Sequence, residues 1–379
     1  MKKIIYLDNS ATTPVDKEVA KVANEFMIKS YGNASTLYSL GREVRKKIES
    51  AREKIAKFIN VSSEEIFFTS GGTESDNLAL MGIALANPDK KRIITSVIEH
   101  PAVMETCKQL EKQGYQVDYI PVGKDGIINV EEIIRKIKEN TLVVSVMHVN
   151  NEIGTIQPIE EIAEICRMKK VLFHTDAVQS FGKLKIDASK IDLLSASGHK
   201  INAPKGVGFL YVRKGIKIHP IIHGGGQEKK IRSGTENVSG IVALGKAVEL
   251  AEKRMKNTAK TKNLQGKLIN ELLKIRGTRL NGSREKRIYT NVNVSFDNAE
   301  GEAIVLLLDE KGICCSTGSA CSSTSLKTSP VLRAIGLGDE ESHGSLRITL
   351  GWQNTEQEIN YAIKEIKNAV ENLRRIYGK

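Results

Sequence analysis

The sequence predicts an α/β protein: a large domain with a mostly parallel sheet flanked by helices, joined to a smaller α+β domain. Three observations carry this. For about 200 residues, short β-branched runs alternate with amphipathic helical stretches, the pattern of strand–helix–strand units. After about residue 257 that alternation stops, and strands and helices follow in another order. A chain of 379 residues is long enough for one large core or two unequal ones.

Taken in order, Arg42–Lys57 forms an amphipathic helix. The strand candidates are Glu65–Thr69, Arg92–Val97, Gln116–Pro121, Thr141–His148, Val171–Thr175, Ile191–Ala196 and Gly206–Val212. Helical stretches such as Glu74–Ala86, Ala102–Gln113 and Pro158–Met168 lie between them. A lysine-rich amphipathic helix is expected over Lys253–Lys274, overlapping a long polar helix placed at Lys260–Ile275. A strand at Tyr289–Phe296, a helix at Glu300–Lys311, a cysteine-bearing loop, a strand at Ser345–Leu350 and a closing helix from Thr355 complete the chain. The expected division is 14–257 for the large domain, with 1–13 and 258–379 forming the small one.

Composition narrows the function classes. A hydrophobic fraction of 40% with 27% charged residues is ordinary for a globular protein, which removes disorder as the default reading. No run approaches the roughly 18 apolar residues a membrane helix needs. The basic start, Met1 to Asp8, lacks a long apolar stretch and a cleavage site, so a cytoplasmic protein without membrane contact is the expectation. Net charge is +12, but the basic residues are scattered along helices and no aromatic-basic stacking platform accompanies them. The expectation is a solvated basic surface suited to an acidic protein partner, with no direct contact to nucleic acid.

Five cysteines, an odd number without a CxxC pair, argue against a disulfide framework. Cys107 and Cys166 fall in helical patterns as packing residues. Cys314, Cys315 and Cys321 crowd into one loop of small residues, Cys314 to Ser323. Such a loop suits a thiol that travels to a substrate and presents its cargo elsewhere. Structural or metal roles for it stay open at this point. Adjacent cysteines nevertheless chelate one metal poorly, and no histidine lies near to complete a zinc site.

Three further segments sit at strand ends, where ligands bind in parallel sheets. Thr69-Ser70-Gly71-Gly72-Thr73-Glu74 runs from a strand into a helix. Its glycines and helix amino terminus suit an oxyanion, although alone it also reads as a plain turn with an N-cap. Asp176 follows an apolar strand, where a carboxylate suits a protonated ring nitrogen or, equally, a turn cap. Ser197-Gly198-His199-Lys200 follows the next strand, and a lysine in a partly dry pocket there forms a Schiff base with an aldehyde.

Together these segments resemble the NifS/IscS-like cysteine desulfurases, in the class V aminotransferase branch of fold-type I pyridoxal-phosphate enzymes. The resemblance runs nearly end to end, from Tyr6–Thr13 through Ser70–Asn77, Glu99-His100, His148–Gly154, Asp176–Gln179, Ser197–Lys200, Arg232–Val238 and Gly318–Cys321 to Ser345–Gly351. It implies removal of sulfur from L-cysteine, giving L-alanine and a persulfide on Cys321. The sulfur then passes to iron-sulfur cluster assembly or another sulfur-transfer pathway.

The resemblance also implies roles. Lys200 is the Schiff-base lysine, Asp176 the partner of the pyridinium nitrogen, and His100 the imidazole stacked on the ring that moves protons at the substrate thiol. Gln179 reaches the ring hydroxyl oxygen, and Asn151 lies beside ring and substrate. Gly72, Thr73, Ser197, Gly198 and His199 hold the phosphate. Thr235 completes that cradle from a second subunit, which implies a homodimer. Arg347 clamps the substrate carboxylate with its bidentate fork. Cys321 is also a candidate ligand of a transient [2Fe-2S] cluster shared with a scaffold partner. The sequence departs from the family pattern at Ala34, Tyr38, Asn202-Ala203 and Trp352, none of which is a catalytic group. The rival readings are a selenocysteine lyase or aminotransferase of the same branch, and a non-catalytic sulfur carrier.

Overall fold

Residues 4–318 and 328–376 are described by the computed structural model, so Cys321 lies outside the described residues. The chain opens with β1 (Ile5–Tyr6), α1 (Lys17–Ile28) and α2 (Ser39–Phe58). Asp16 caps α1 by accepting the Glu18 N–H, and Val19, Ala23 and Phe26 recur at helical spacing as its buried stripe.

The large sheet is laid down next. Its elements are β2 (Ile66–Thr69), α3 (Gly72–Ala86), β3 (Arg92–Ser96), α4 (Pro101–Lys112), β4 (Gln116–Ile120), α5 (Val130–Lys136), β5 (Thr141–Ser145), α6 (Ile159–Met168), β6 (Leu172–Asp176), β7 (Leu193–Ser197) and β8 (Gly208–Val212). The strand order is β2-β8-β7-β6-β5-β3-β4. β8 runs antiparallel to both of its neighbours, and the other neighbouring pairs are parallel. Every residue of β5, β7 and β8 is buried, so both faces of the sheet must be covered. Alternate side chains serve the two faces. Phe68, Ile94, Val144, Phe173, Leu194 and Phe209 join the core that packs on α2 and α6. Phe67, Ile93, Val143, Leu193 and Leu210 join the other, with Leu78, Ile83, Val103 and Leu110 of α3 and α4.

The remaining elements are α7 (Val238–Met255), α8 (Ala259–Leu272), β9 (Thr278–Leu280), β10 (Asn291–Phe296), α9 (Gly301–Glu310), β11 (Ile313–Cys314), α10 (Pro330–Ala334), α11 (Asp339–His343), β12 (Ser345–Thr349) and α12 (Glu356–Ile376). One expectation is corrected here: Lys253–Lys274 is not a continuous helix. It breaks between Met255 and Ala259, because Leu244 and Val248 of α7 pack on the large-sheet core while Leu264, Leu268 and Leu272 of α8 pack on a separate one. Asn257 closes the first helix by donating its N–H to the Arg254 carbonyl.

That separate core lies against an antiparallel sheet of order β12-β10-β9 and the parallel pair β1-β11. The N-terminal segment stitches the two bodies together. Thr349 donates its N–H to the Leu7 carbonyl at 2.7 Å, and six residues on from Leu7 Thr13 donates its N–H to the His199 carbonyl at 2.9 Å. Among the described residues no helix is long and apolar enough to cross a membrane.

Candidate active site

Parallel strands β6 and β7 pair with Asp176 opposite Ser195, and both end at the same edge of the sheet. Asp176 is the last residue of β6. The turn Gly198–Lys200 follows β7 directly and carries Lys200 to the same place. Across the sheet, α3 begins at Gly72 with Gly71 before it, so the helix opening has no side-chain cap. A methyl group built on Gly72 would lie 2.7 Å from Val178 Cγ2, which is why only glycine lets this end approach. His100 stands at the N-cap of α4, where its Nδ1 accepts the Ala102 N–H at 3.1 Å.

These elements enclose a cavity of about 300 Å³. Gly72, Thr73, His100, Asn151, Asp176, Gln179, Ser197, His199, Lys200 and Arg347 line it, so segments spread over 275 residues of chain (347 − 72) converge. Gly198 lies just behind the wall, packed against Val207 and Ala203. Thr235 is exposed and does not line the cavity of its own chain. Cys321 lies outside the described residues. Of its neighbours, Gly318 donates its N–H to Ser345 Oγ at 3.3 Å, and Ser329 donates its hydroxyl to Glu152 at 2.5 Å.

The electrostatics follow from burial. Asp176 is fully buried and its pKa is raised by desolvation, offset by His100, by the Val178 N–H at 2.8 Å and by Lys200. Burial lowers the pKa of His100, Asp176 opposes that, and the charge on Lys200 adds to the lowering. Since Nδ1 already accepts a backbone N–H, the neutral ring carries its proton on Nε2. His199 is pushed down to about 4 by burial and then by Lys200, Lys205 and Lys183, and its Nδ1 meets Thr12 Oγ1 at 3.1 Å. The Lys200 ammonium donates to the Ser10 and Ala11 carbonyls, the latter at 2.8 Å.

Four further contributors lie within the quoted motifs but were given no role from the sequence. Asp8 pairs with Arg347 at 2.9 Å and accepts the Ser316 hydroxyl at 2.7 Å, while Arg347 also donates to the Asn151 carbonyl at 3.2 Å. Asp76 lines the cavity one helical turn beyond Gly72, fully buried, with Oδ1 lacking any hydrogen-bond partner. Its pKa is raised well above the usual carboxylate value by burial and then by Asp176, and His174 Nε2 lies 3.6 Å from Oδ1. Asn150 accepts the N–H groups of Glu152 and Ile153 and donates to the Ile98 carbonyl, tying the Asn151 turn to the His100 turn. Glu99 lies buried beside His100, accepting the Ser96 hydroxyl and the Met147 N–H. The helical spacing from Gly72 to Asp76 is a signal that could have found one of these.

The donor set fits pyridoxal phosphate. Asp176 is a buried carboxylate on the cavity wall, the uncapped start of α3 suits a phosphate, and Lys200 lines the same cavity. Arg347 Nε is buried without a partner, a spare donor on the same wall. No group of three or more metal-ligating side chains occurs among the described residues.

Comparison with known proteins agrees with this geometry. The family model described as aminotransferase class V matches residues 5–361. A cysteine desulfurase IscS from Methanosarcina thermophila is 51% identical over 378 residues, covering 99% of this chain and 94% of the relative. Another from Dictyoglomus turgidum is 48% identical, covering 99% and 97%. Among solved structures, a NifS-like protein superposes with a TM-score of 0.92 at 39% identity, covering 98% of this chain and all of that one. A structure described as SspA in complex with cysteine matches with a TM-score of 0.83 at 38% identity, covering 91% and 98%.

Proposed function

The chain belongs to the class V aminotransferase family, among its cysteine desulfurases, and from that premise we propose which of its residues carry out the reaction. The activity is removal of sulfur from L-cysteine, giving L-alanine, with pyridoxal phosphate as cofactor. The observation that carries the assignment is the meeting of Lys200, Asp176, His100 and Arg347 around one cavity. The relative crystallised with cysteine supports the choice of substrate.

When bound, pyridoxal phosphate supplies the electron sink for negative charge at the substrate Cα. The residues do the rest. Asp176 holds the ring nitrogen's proton. Gln179 reaches the ring hydroxyl oxygen. Gly72, Thr73, Ser197, Gly198 and His199 hold the phosphate. Lys200 tethers the cofactor, and its freed Nζ takes the Cα proton. His100, with Nδ1 engaged, moves the thiol proton at Nε2. Arg347 binds the substrate carboxylate beside Asn151. Cys321 attacks the substrate sulfur as a thiolate: the S–S bond of the persulfide forms as the substrate Cβ–S bond breaks, and the electron pair left on the three-carbon fragment takes up a proton as it becomes alanine.

The same proposal includes a homodimer in which Thr235 enters the partner's phosphate cradle. Its exposure supports this, as does the run of exposed apolar residues Met27, Ile28, Tyr31, Leu37 and Tyr38. It also takes 14–257 as the cofactor-holding domain and 1–13 with 258–379 as the smaller one, in line with their separate cores. The sulfur goes to an acceptor protein, such as an iron-sulfur scaffold with which Cys321 shares a transient [2Fe-2S] cluster. The run of small residues in the sequence around Cys321, from Gly318 to Ser323, supports that role.

Intact-mass analysis after adding cysteine tests the assignment. A gain of one sulfur on the Cys321 peptide is expected, and Cys321→Ala abolishes it while retaining the cofactor absorbance. A fully active alanine variant, measured as alanine plus sulfide without added thiol, overturns it.

A further inference from the structure

A second cavity, of about 270 Å³, shares only Lys200 with the first. It lies between the bodies, walled by the end of α7, the start of α8 and the segment after β12. Lys183, Lys200, Arg254 and Lys260 face it, and its lining contains no aspartate or glutamate. Arg254 is answered from outside the lining by Asp16, and it also donates to Asn202 Oδ1 at 3.0 Å. Lys183 is not answered in that way. Its Nζ meets Gln179 Oε1 at 3.4 Å, and no carboxylate pairs with it among the described residues. Lys183 is part-buried, and a cation drawn out of water is ordinarily paired. The lining also has apolar parts, Ala251, Leu350 and the Trp352 ring, whose centroid lies 4.1 Å from the Arg254 guanidinium carbon.

We propose that this cavity binds a small organic carboxylate, its charged end on Lys183 and its apolar body against Trp352 and Leu350. The volume, at the small end of ligand pockets, suits a compact metabolite. The mixed wall favours a carboxylate with an apolar body over a bare inorganic anion. Burial, then the charge on Lys200, pushes Lys183 down to about 7, and a bound carboxylate would raise it again. The site communicates with the first cavity. Gln179 joins Lys183 to the Ser10 carbonyl, which also receives Lys200.

Isothermal titration of the holoenzyme with benzoate, without cysteine, tests this, with inorganic phosphate as the second probe. Benzoate is expected to bind the parent and Arg347→Met alike, to weaken by about tenfold or more in Lys183→Met, and to bind more tightly than phosphate. Thr258→Phe, which crowds the rim, gives the same loss without touching Lys183. Thr258 makes no side-chain cap bond, so α8 keeps its start in that variant. Unchanged binding in both cavity variants, loss in Arg347→Met alone, tighter binding of phosphate, or no benzoate binding overturns the proposal.

Discussion

The floor of the cofactor cavity and its rim are built by different means. The floor comes from the ends of two adjacent parallel strands, with Asp176 and Lys200 only 24 residues apart (200 − 176) and held by a backbone ladder. The rim joins Asp8 to Arg347, 339 residues away, and to Ser316, through one ion pair and one hydroxyl. A ladder cannot give up one bond without disturbing its neighbours. An ion pair can be exchanged singly, and in the proposed function the substrate carboxylate would replace Asp8 on Arg347. The difference teaches where chemistry needs rigidity and where binding needs an exchangeable contact.

Breaking the floor has the largest effect. Lys200→Ala is expected to lower kcat by roughly 10³-fold or more and to abolish the absorbance of lysine-bound cofactor, read by alanine production and visible spectra. Turnover near the parent level would remove Lys200 from the reaction. Next comes the rim. Arg347→Lys keeps the charge but loses the fork, so KM for cysteine should rise about 10- to 100-fold with a much smaller fall in kcat. A fall in kcat at constant KM would place the carboxylate elsewhere.

Asp8→Asn separates rim from floor. It leaves Arg347, almost fully buried, without its carboxylate, and should cost about 1–3 kcal/mol in urea unfolding while the cofactor spectrum stays unchanged. A shifted spectrum would mean that rim and floor are one unit.

The smallest effect sharpens the floor. Burial pushes Glu99 up to about 8, with the Ser96 hydroxyl and Met147 N–H opposing. The folded protein therefore keeps a proton that the unfolded chain releases near 4.5. Glu99's contribution is fully present below that value and is lost as pH rises through about 8, at about 1 kcal/mol per pH unit. Glu99→Gln mimics the protonated acid, so its stability relative to the parent should grow between pH 6 and 8 in urea titrations. A constant difference would show that Glu99 is ionised throughout.

Much of the floor was legible because its residues follow strands within short motifs. The turn after β2, Asp176 and the turn ending at Lys200 each sit where parallel sheets place ligands. The departures from the family pattern also find places. Asn202 adopts φ 68°, a left-handed conformation asparagine tolerates, and Trp352 stacks on Arg254. Asp8, Asp76 and Lys183 were not legible, since a charged residue's local pattern does not reveal which distant group it faces.

By itself the sequence determined the alternation that makes the sheet, the glycines at the start of α3, and the residue types a cofactor aldehyde, ring nitrogen and phosphate require. Only the tertiary structure decided that Asp8 meets Arg347, that Asp76 is buried beside Asp176, and that Lys183 faces a cavity without a carboxylate. Periodicity and motif are properties of neighbouring residues. Desolvation and pairing depend on which remote segments the fold brings within a few ångströms.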